Sequence, residues 1–406
     1  MKADADRKIL VPSAPGKRFP EDTKVTDLLY SAAAEWDAGK KSPSFCLVKE
    51  RFSAIRKGLS LSPFKADVFR DIERNYRATL SIDYLVSRGE YLMGKTLAEA
   101  TGFVFCDAVD SVFLDAFGYT DTHKTRVAVM RALHKWGRIV VPGFYAADIS
   151  GRVKLFSRGG SDITGAILAE AADAYLYENF TDVSGVYAAS PRIVAKPKVL
   201  REISYGDLRA LSRFGATVLH EDAVFPVLRS MIPIRIKNTF VSSDVGTLVY
   251  TGASRNEKIV GISGRDGYHC LSLRRDMLGH TPTLHERIFS FFRERQIYPE
   301  QIAFSSDSVT ILFIHGFRDG EKKRMLTELA DVSECDEIRM SDDLMLVTIV
   351  GCFSAKSASS VIRALRCDGI PLLYFSGGHG DDNFFFAVPA KRGNAAVSAV
   401  YRALFS

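Results

Sequence analysis

The sequence holds 406 residues, 47% of them hydrophobic and 25% charged, enough to bury more than one core, so two or three domains are expected. A formal charge of +6, with basic residues interleaved among acidic ones, gives no basic block for nucleic acid and suits a small anionic substrate. No run approaches the ~18 apolar residues of a membrane span, and the opening MKADADRKILVPSAPGKR carries charges where a secretory leader is apolar, which together read as a cytoplasmic protein.

From the start to about Phe240 apolar strands alternate with helices: RKILVPSAP, the helix in SPFKADVFRDIERNYRATL, TGFVFCDAV, the helix around KTRVAVMRALHKW, and GRIVVPGF. Such alternation predicts an α/β sheet with helices on its faces. A helix is expected over 162–174, with Asp162 placed to cap it and Ile163, Ala166, Ile167 and Ala171 on one face. The strand AYLYENF comes next. Val224, Val227, Leu228 and Met231 then form a second helical stripe ahead of the strand PIRIKNTF.

Beyond Phe240 a stretch rich in Ser, Gly and Asn leads into a different texture. One set reads IVGISGRDGYHCLSL, a helix with Leu284, Ile288, Phe291 and Phe292 on one side, then DSVTILFIH; the next reads LMLVTIVG, a helix with Val361, Ile362 and Leu365, then PLLYF and DNFFFAV. Asp307 and Asp382 hold corresponding places ahead of strands, and two such βαβ-type units read as paired modules. Cys46, Cys106, Cys270, Cys335, Cys352 and Cys367 lack CxxC pairs or histidines at metal spacing, which suits buried thiols in a reducing compartment and no dedicated metal site.

The segment that carries chemistry is VKLFSRGGSDITGAILAEA, in which a strand ends in Arg-Gly-Gly-Ser-Asp and a helix begins at once. Glycine backbone and helix amides then converge where an anion can sit. Arg158 is suited to a carboxylate, and Asp162 to Mg2+-phosphate or to capping the helix; a purely structural turn with the same residues is the competing reading.

The order of the downstream segments separates the two. SRGGSDITGA precedes FTDVSGVYAASPRIV, then ISYGDLRALSRFGATVLHEDAVFPV, then IPIRIKNTF, and this ordered set resembles the aspartokinase family. SAPGKRFPEDTKVTDLL resembles the family's second loop, SRGEYL its S-x-G-E segment, and the two end units its paired ACT domains. The resemblance implies an amino-acid kinase (carbamate kinase-like) three-layer α/β/α domain over 1–240 and two ACT (ferredoxin-like βαββαβ) modules over 241–330 and 331–406.

It also implies ATP-dependent phosphorylation of the L-aspartate side chain, at the head of lysine, threonine and methionine synthesis. Thr26, Glu90, Arg158 and Ser161 would form the aspartate site, with Glu90 toward the ammonium group and Arg158 and Ser161 toward the α-carboxylate. Thr181, Asp182, Tyr187 and Arg192 would meet ATP, with Asp162 near Mg2+ and the transferring phosphate. An end product, lysine or threonine, would bind near Met277, Thr281, Leu284 and Asp307, and the modules would pair chains into a homodimer or larger assembly. Bland alternatives stand beside these roles: Thr26 as a helix cap, Glu90 as a solvated helix residue, Tyr187 as core, Arg192 as a surface charge, the effector residues as module packing.

Two departures qualify the likeness. Thr217 stands where many members carry a lysine, and the family's opening Lys-Phe-Gly-Gly-Ser/Thr-Ser loop, which holds the β- and γ-phosphates, is not among these residues. A start upstream of Met1, substitution by Lys17 or Lys24, or a catalytically dead homologue acting as an amino-acid-sensing subunit would each account for the second.

Overall fold

The structure is a computed structural model that describes residues 4–156, 159–213, 221–241, 243–252, 259–352, 354–377 and 383–405. Arg158, Thr217 and Asp382 lie outside the described residues. The chain divides into two compact units, one of residues 1–181, 219–237 and 248–251, the other of 182–218, 238–247 and 252–406. No helix among the described residues is long and apolar enough to cross a membrane.

In the first unit six α-helices among the described residues precede residue 172: α1 (Val25–Asp37), α2 (Pro43–Gly58), α3 (Ala66–Thr79), α4 (Ile82–Thr101), α5 (Thr122–Trp136) and α6 (Gly160–Ala171). Their limits follow from local chemistry. The Ser42 and Ser81 side chains accept the amide hydrogens of Phe45 and Tyr84, capping α2 and α4, and Gly102 and Gly137 follow the last residues of α4 and α5. Helices α1–α4 bury one core around Leu29, Phe45, Phe52, Tyr76 and Leu85.

Short parallel strands Ile9–Leu10 and Val104–Phe105 flank Ile139–Val140, and α5 and α6 pack a second core of Val129, Ile139, Tyr145, Ile167 and Leu168. Strands Tyr177–Thr181, Ile234–Asn238 and Thr247–Tyr250 form a further ladder. Arg7 ties the segment before Ile9 to this ladder through Glu178, at 2.6 Å.

The structure corrects two expectations. The helix predicted over 162–174 runs from Gly160 to Ala171, so Asp162 lies inside its first turn and Gly159 is the cap. The second stripe helix ends at Arg229; Met231 sits beyond it at φ +54° and 73% exposed, because the turn into the next strand carries its side chain to solvent.

The second unit is dominated by one antiparallel sheet in the order 299–304, 308–314, 259–274, 337–351, 383–389, 374–376. Its two longest strands, Ile259–Arg274 and Glu337–Gly351, pair along their length with shifts of register near Tyr268. Beside a cluster around Tyr268, Leu312, Leu346 and Tyr374, two larger cores form on this sheet. Leu271, Leu273, Leu284, Ile288, Phe292 and Phe313 make one; Ile262, Val347, Ile349, Val361, Leu365 and Phe386 make the other.

Each long strand therefore serves both cores, and residues 259–264 belong with the later one although they precede the earlier one in sequence. The expected boundary at 330/331 falls inside the helix Glu321–Ser333, with strands of the shared sheet before and after it. Ile362, read as core, is 45% exposed, while Val361 and Leu365 are buried, since the stripe that meets the sheet is only two residues wide there. Phe313 is wholly buried on a central strand, and Phe313→Ala is expected to lower unfolding stability by about 3–5 kcal/mol, read as a lower urea midpoint with the later core's tryptic pattern unchanged.

Candidate functional site

The site in the first unit is built around residues 12–16. Glu90, on α4, is 4% exposed. One of its oxygens accepts the Ala14 amide hydrogen at 3.1 Å; the other, Oε2, is buried with no hydrogen-bond partner. Burial pushes the Glu90 carboxyl up to about 7, against the downward pull of the Ala14 amide, of its own backbone amide and, least, of the Arg88 charge. Glu90 is thus a buried acceptor, not the solvated helix residue of the alternative reading.

Close approach makes this contact possible. A Cβ on Gly89 would lie 2.9 Å from that of Ala14, so only glycine lets α4 meet the loop. Pro12 in turn accepts the Gly143 amide hydrogen at 3.1 Å. A Cβ on Gly143 would sit 2.6 Å from Ser161 Oγ, which brings the first turn of α6 against the same loop. On the other side Pro15 accepts the Val25 amide hydrogen at 3.1 Å, at the start of α1. Thr26 is the next residue in that first turn, half-buried; the cap is Lys24, so capping is not its role.

Thr26, Glu90 and Ser161 therefore surround one short loop. They offer a buried carboxylate on one side and a helix amino terminus on the other, the complement of a group carrying both charges. Arg158, expected beside Ser161, lies outside the described residues.

Asp162 points to a different partner set. Asn179 Nδ2 donates to its carboxylate at 2.9 Å and to the Tyr177 hydroxyl at 3.3 Å, and that hydroxyl donates to the Asp162 carbonyl. The Asp162 carboxylate is thereby fixed over the first turn of α6. Among the described residues no group of three His, Cys, Asp or Glu could hold a metal. Mg2+ is commonly held by one or two carboxylates plus phosphate oxygens, and a single fixed carboxylate at a helix amino terminus fits that pattern.

Thr181 ends the strand after Asn179 in the first unit. Asp182, Tyr187 and Arg192 belong to the second: Asp182 and Arg192 are exposed, and Tyr187 is half-buried on a strand paired with Val199.

Of the effector candidates, three meet. Asp307 accepts the Met277 amide hydrogen at 3.0 Å, and Thr281 Oγ1 donates to the Met277 carbonyl at 2.9 Å. Asp307 also lines a polar depression of about 260 Å³ with Ser272, Arg274, Ser308 and Arg339. Leu284 instead packs in the earlier core at 3% exposure, since its helix turns that face to the sheet.

Three organising residues were not anticipated. Arg51 is buried on α2 and clasps the loop after residue 15. It donates to the Gly16 and Thr23 carbonyls and, at 2.7 Å, to Asp22, which Arg18 also grips. Arg18, through side chain and backbone, and then Arg51 hold the Asp22 carboxyl well below the usual carboxylate range. A charge on the apolar stripe of Phe45, Val48 and Phe52 was the available signal. Asn179, beside Asp162, and Arg88, next to Glu90, carried no comparable signal.

Comparisons with known proteins show the family of the chain. The amino acid kinase family profile matches residues 2–238. The chain is 30% identical to aspartokinase 3 of Bacillus subtilis over 100% of this chain and 93% of that one, and 26% identical to the lysine-sensitive aspartokinase 3 of Escherichia coli over 72% and 67%. Among solved structures, the aspartate kinase of Clostridium acetobutylicum matches with TM-score 0.90 at 35% identity, covering 99% of this chain and 94% of that one. E. coli aspartokinase III, solved with aspartate and ADP, shares the fold at TM-score 0.70 and 22% identity, covering 100% and 94%.

The buried carboxyl has a consequence for stability. Its value in the fold, about 7, exceeds the ordinary 4.5, so the stability it contributes is complete below about 4.5 and is lost as pH rises through about 7. Glu90→Gln is expected to stabilise the ligand-free protein at pH ~8 by on the order of 3 kcal/mol, shrinking below about 1 kcal/mol at pH ~5, as measured by urea unfolding at the two values.

Proposed function

The chain belongs to the amino acid kinase family, as one of its aspartokinases, and from that membership we propose that it transfers the γ-phosphoryl group of ATP to the side-chain carboxylate of L-aspartate, giving 4-phospho-L-aspartate. The observation that carries the reading is the buried, half-satisfied Glu90 carboxylate, joined through residues 12–16 and Gly143 to the amino terminus of α6. An amino acid's ammonium group completes Glu90, and its carboxylates suit Ser161, Arg158 and the helix amides. Thr26 borders the same loop.

The attacking carboxylate is ionised at neutral pH, so the reaction needs no general base. Catalysis is positioning and charge neutralisation. The rigid loop, held by Arg51 and by Glu90, fixes the acceptor. Asp162, braced by Asn179, would hold the metal ion of the nucleotide, and Mg2+ there would supply positive charge to the phosphate oxygens. Thr181, Asp182, Tyr187 and Arg192 are assigned to ATP. The sensing-subunit alternative is not favoured, because the similar proteins are named aspartokinases.

Residues 1–240 are assigned to the kinase domain and 241–330 and 331–406 to two regulatory modules, the second completed by residues 259–264. Lysine, or threonine in its place, is the assigned effector, at the turn of Met277, Thr281 and Asp307; the lysine-sensitive E. coli relative supports lysine. Cytoplasmic location and assembly into a homodimer through the modules complete the reading.

With ATP, Mg2+ and hydroxylamine, L-aspartate is expected to yield aspartyl hydroxamate, and Asp162→Asn or Arg158→Ala to lower kcat/KM by about 10²-fold or more. Hydroxamate formation undiminished in both variants would sink the residue roles. Inhibition by millimolar lysine is expected to disappear in Asp307→Ala, which loses both the carboxylate and its grip on the Met277 amide; a dose–response curve unchanged in that variant counts against the effector site.

A further inference from the structure

Phe144 stands at φ +77°, in the left-handed region that a bulky residue enters at a cost and keeps only where its surroundings enforce it. Its carbonyl continues the ladder of Tyr145–Ala147 with Val153–Leu155, accepting the Phe156 amide hydrogen at 2.9 Å. Its amide donates instead to Thr164 Oγ1, at 3.0 Å. Thr164 is wholly buried on α6, and its hydroxyl donates in turn to the Gly160 carbonyl, one helical turn back, at 2.8 Å. A hydroxyl has one hydrogen and two lone pairs, so both bonds are made at once and a single side chain joins the two segments.

Those segments touch at backbone range. A Cβ on Gly160 would strike the Phe144 ring and lie 2.9 Å from the Phe144 Cα, and one on Gly143 would lie 2.8 Å from the Ser161 Cα. The Gly143 amide is bonded to the Pro12 carbonyl, and the same short loop carries the Ala14 amide that meets Glu90. A continuous run of contacts therefore leads from Glu90 through residues 12–14 and 143–144 to the first turn of α6. Thr164 makes its last link.

We propose that Thr164 is a positioning residue for the acceptor amino acid: its hydroxyl pins Phe144 in the left-handed conformation and so fixes the spacing between Glu90, at one end of the run, and Ser161, at the other. The proposal rests on the reading of Glu90 and Ser161 as the partners of aspartate's ammonium and α-carboxylate groups. Those two groups are carried by one carbon of the substrate, so their partners serve it together only while their own spacing is held. Without the hydroxyl the Phe144 amide loses its acceptor, and residue 144 relaxes toward negative φ. Gly143 then shifts off Ser161. The helix itself stays, because Ile167 and Leu168 keep α6 in its core and Asn179 holds Asp162 independently.

The test is calorimetric titration of L-aspartate into the full chain for wild type, Thr164→Val and Thr164→Ser, each checked for folding by circular dichroism. Amide hydrogen exchange at Phe144 and along α6 is followed in the same proteins by mass spectrometry of overlapping peptides. Thr164→Val keeps the side chain's shape and removes the hydroxyl; Thr164→Ser keeps the hydroxyl. In Thr164→Val, aspartate is expected to bind about tenfold more weakly, with exchange quickened at Phe144 and unchanged along α6. Thr164→Ser is expected to match wild type in all three readouts.

Aspartate affinity unchanged in Thr164→Val overturns the proposal. So does exchange that quickens along the whole of α6, the mark of a merely structural role, or exchange at Phe144 that does not quicken at all. Thr164→Ser that binds as weakly as Thr164→Val overturns the role of the hydroxyl. If Thr164→Val does not fold, folded Thr164→Ser decides: wild-type affinity and exchange support the proposal, and weaker aspartate binding overturns it. A wild type that binds no aspartate overturns instead the reading of Glu90 and Ser161, while exchange at Phe144 still reports whether Thr164 holds that residue.

Discussion

A single backbone-to-carboxylate hydrogen bond, from the Ala14 amide to Glu90, is the constraint around which the first unit's site is arranged. It requires α4 and the 12–16 loop to touch at backbone range, which is possible because position 89 is glycine. Once the loop is there, Pro12 fixes Gly143, Gly143 admits Ser161, and Pro15 fixes the start of α1. Three segments far apart in sequence thus converge on five residues of loop, and the functional groups converge with them.

The same bond exposes a conflict between stability and function. A buried carboxyl satisfied on one oxygen prefers to be neutral, while an ammonium ligand needs it charged. An ammonium ligand favours the charged form, so its binding at Glu90 offsets part of the cost of burial. The loop beyond residue 16 shows the opposite arrangement: Asp22 is gripped by Arg18 and Arg51, partners that the chain itself supplies.

The second unit achieves order differently. Its cores are conventional, but two long strands are shared between them. Met277 and Asp307 meet just beyond the end of one such strand, and the other end of that strand packs into the later core.

Much of this was legible in sequence. The strand–helix alternation, the faces of the helices at Leu284–Phe292 and Val361–Leu365, and the RGGSD and TDVSGVY segments are local patterns, and local periodicity and turn chemistry act within a few residues. What sequence left open was whether Glu90 was solvated or buried, whether Asp162 capped a helix or was available to Mg2+-phosphate, and whether Leu284 met a ligand or a core. Each depends on which distant segment packs against the residue. Arg51 left in the sequence only the trace of a charge on an apolar stripe and Arg88 left none, since what a buried arginine does is set by the carbonyls, rings and carboxylates that surround it. The order of segments determined the family and the kind of chemistry; the tertiary structure decided burial, and burial is what sets a carboxyl group's charge.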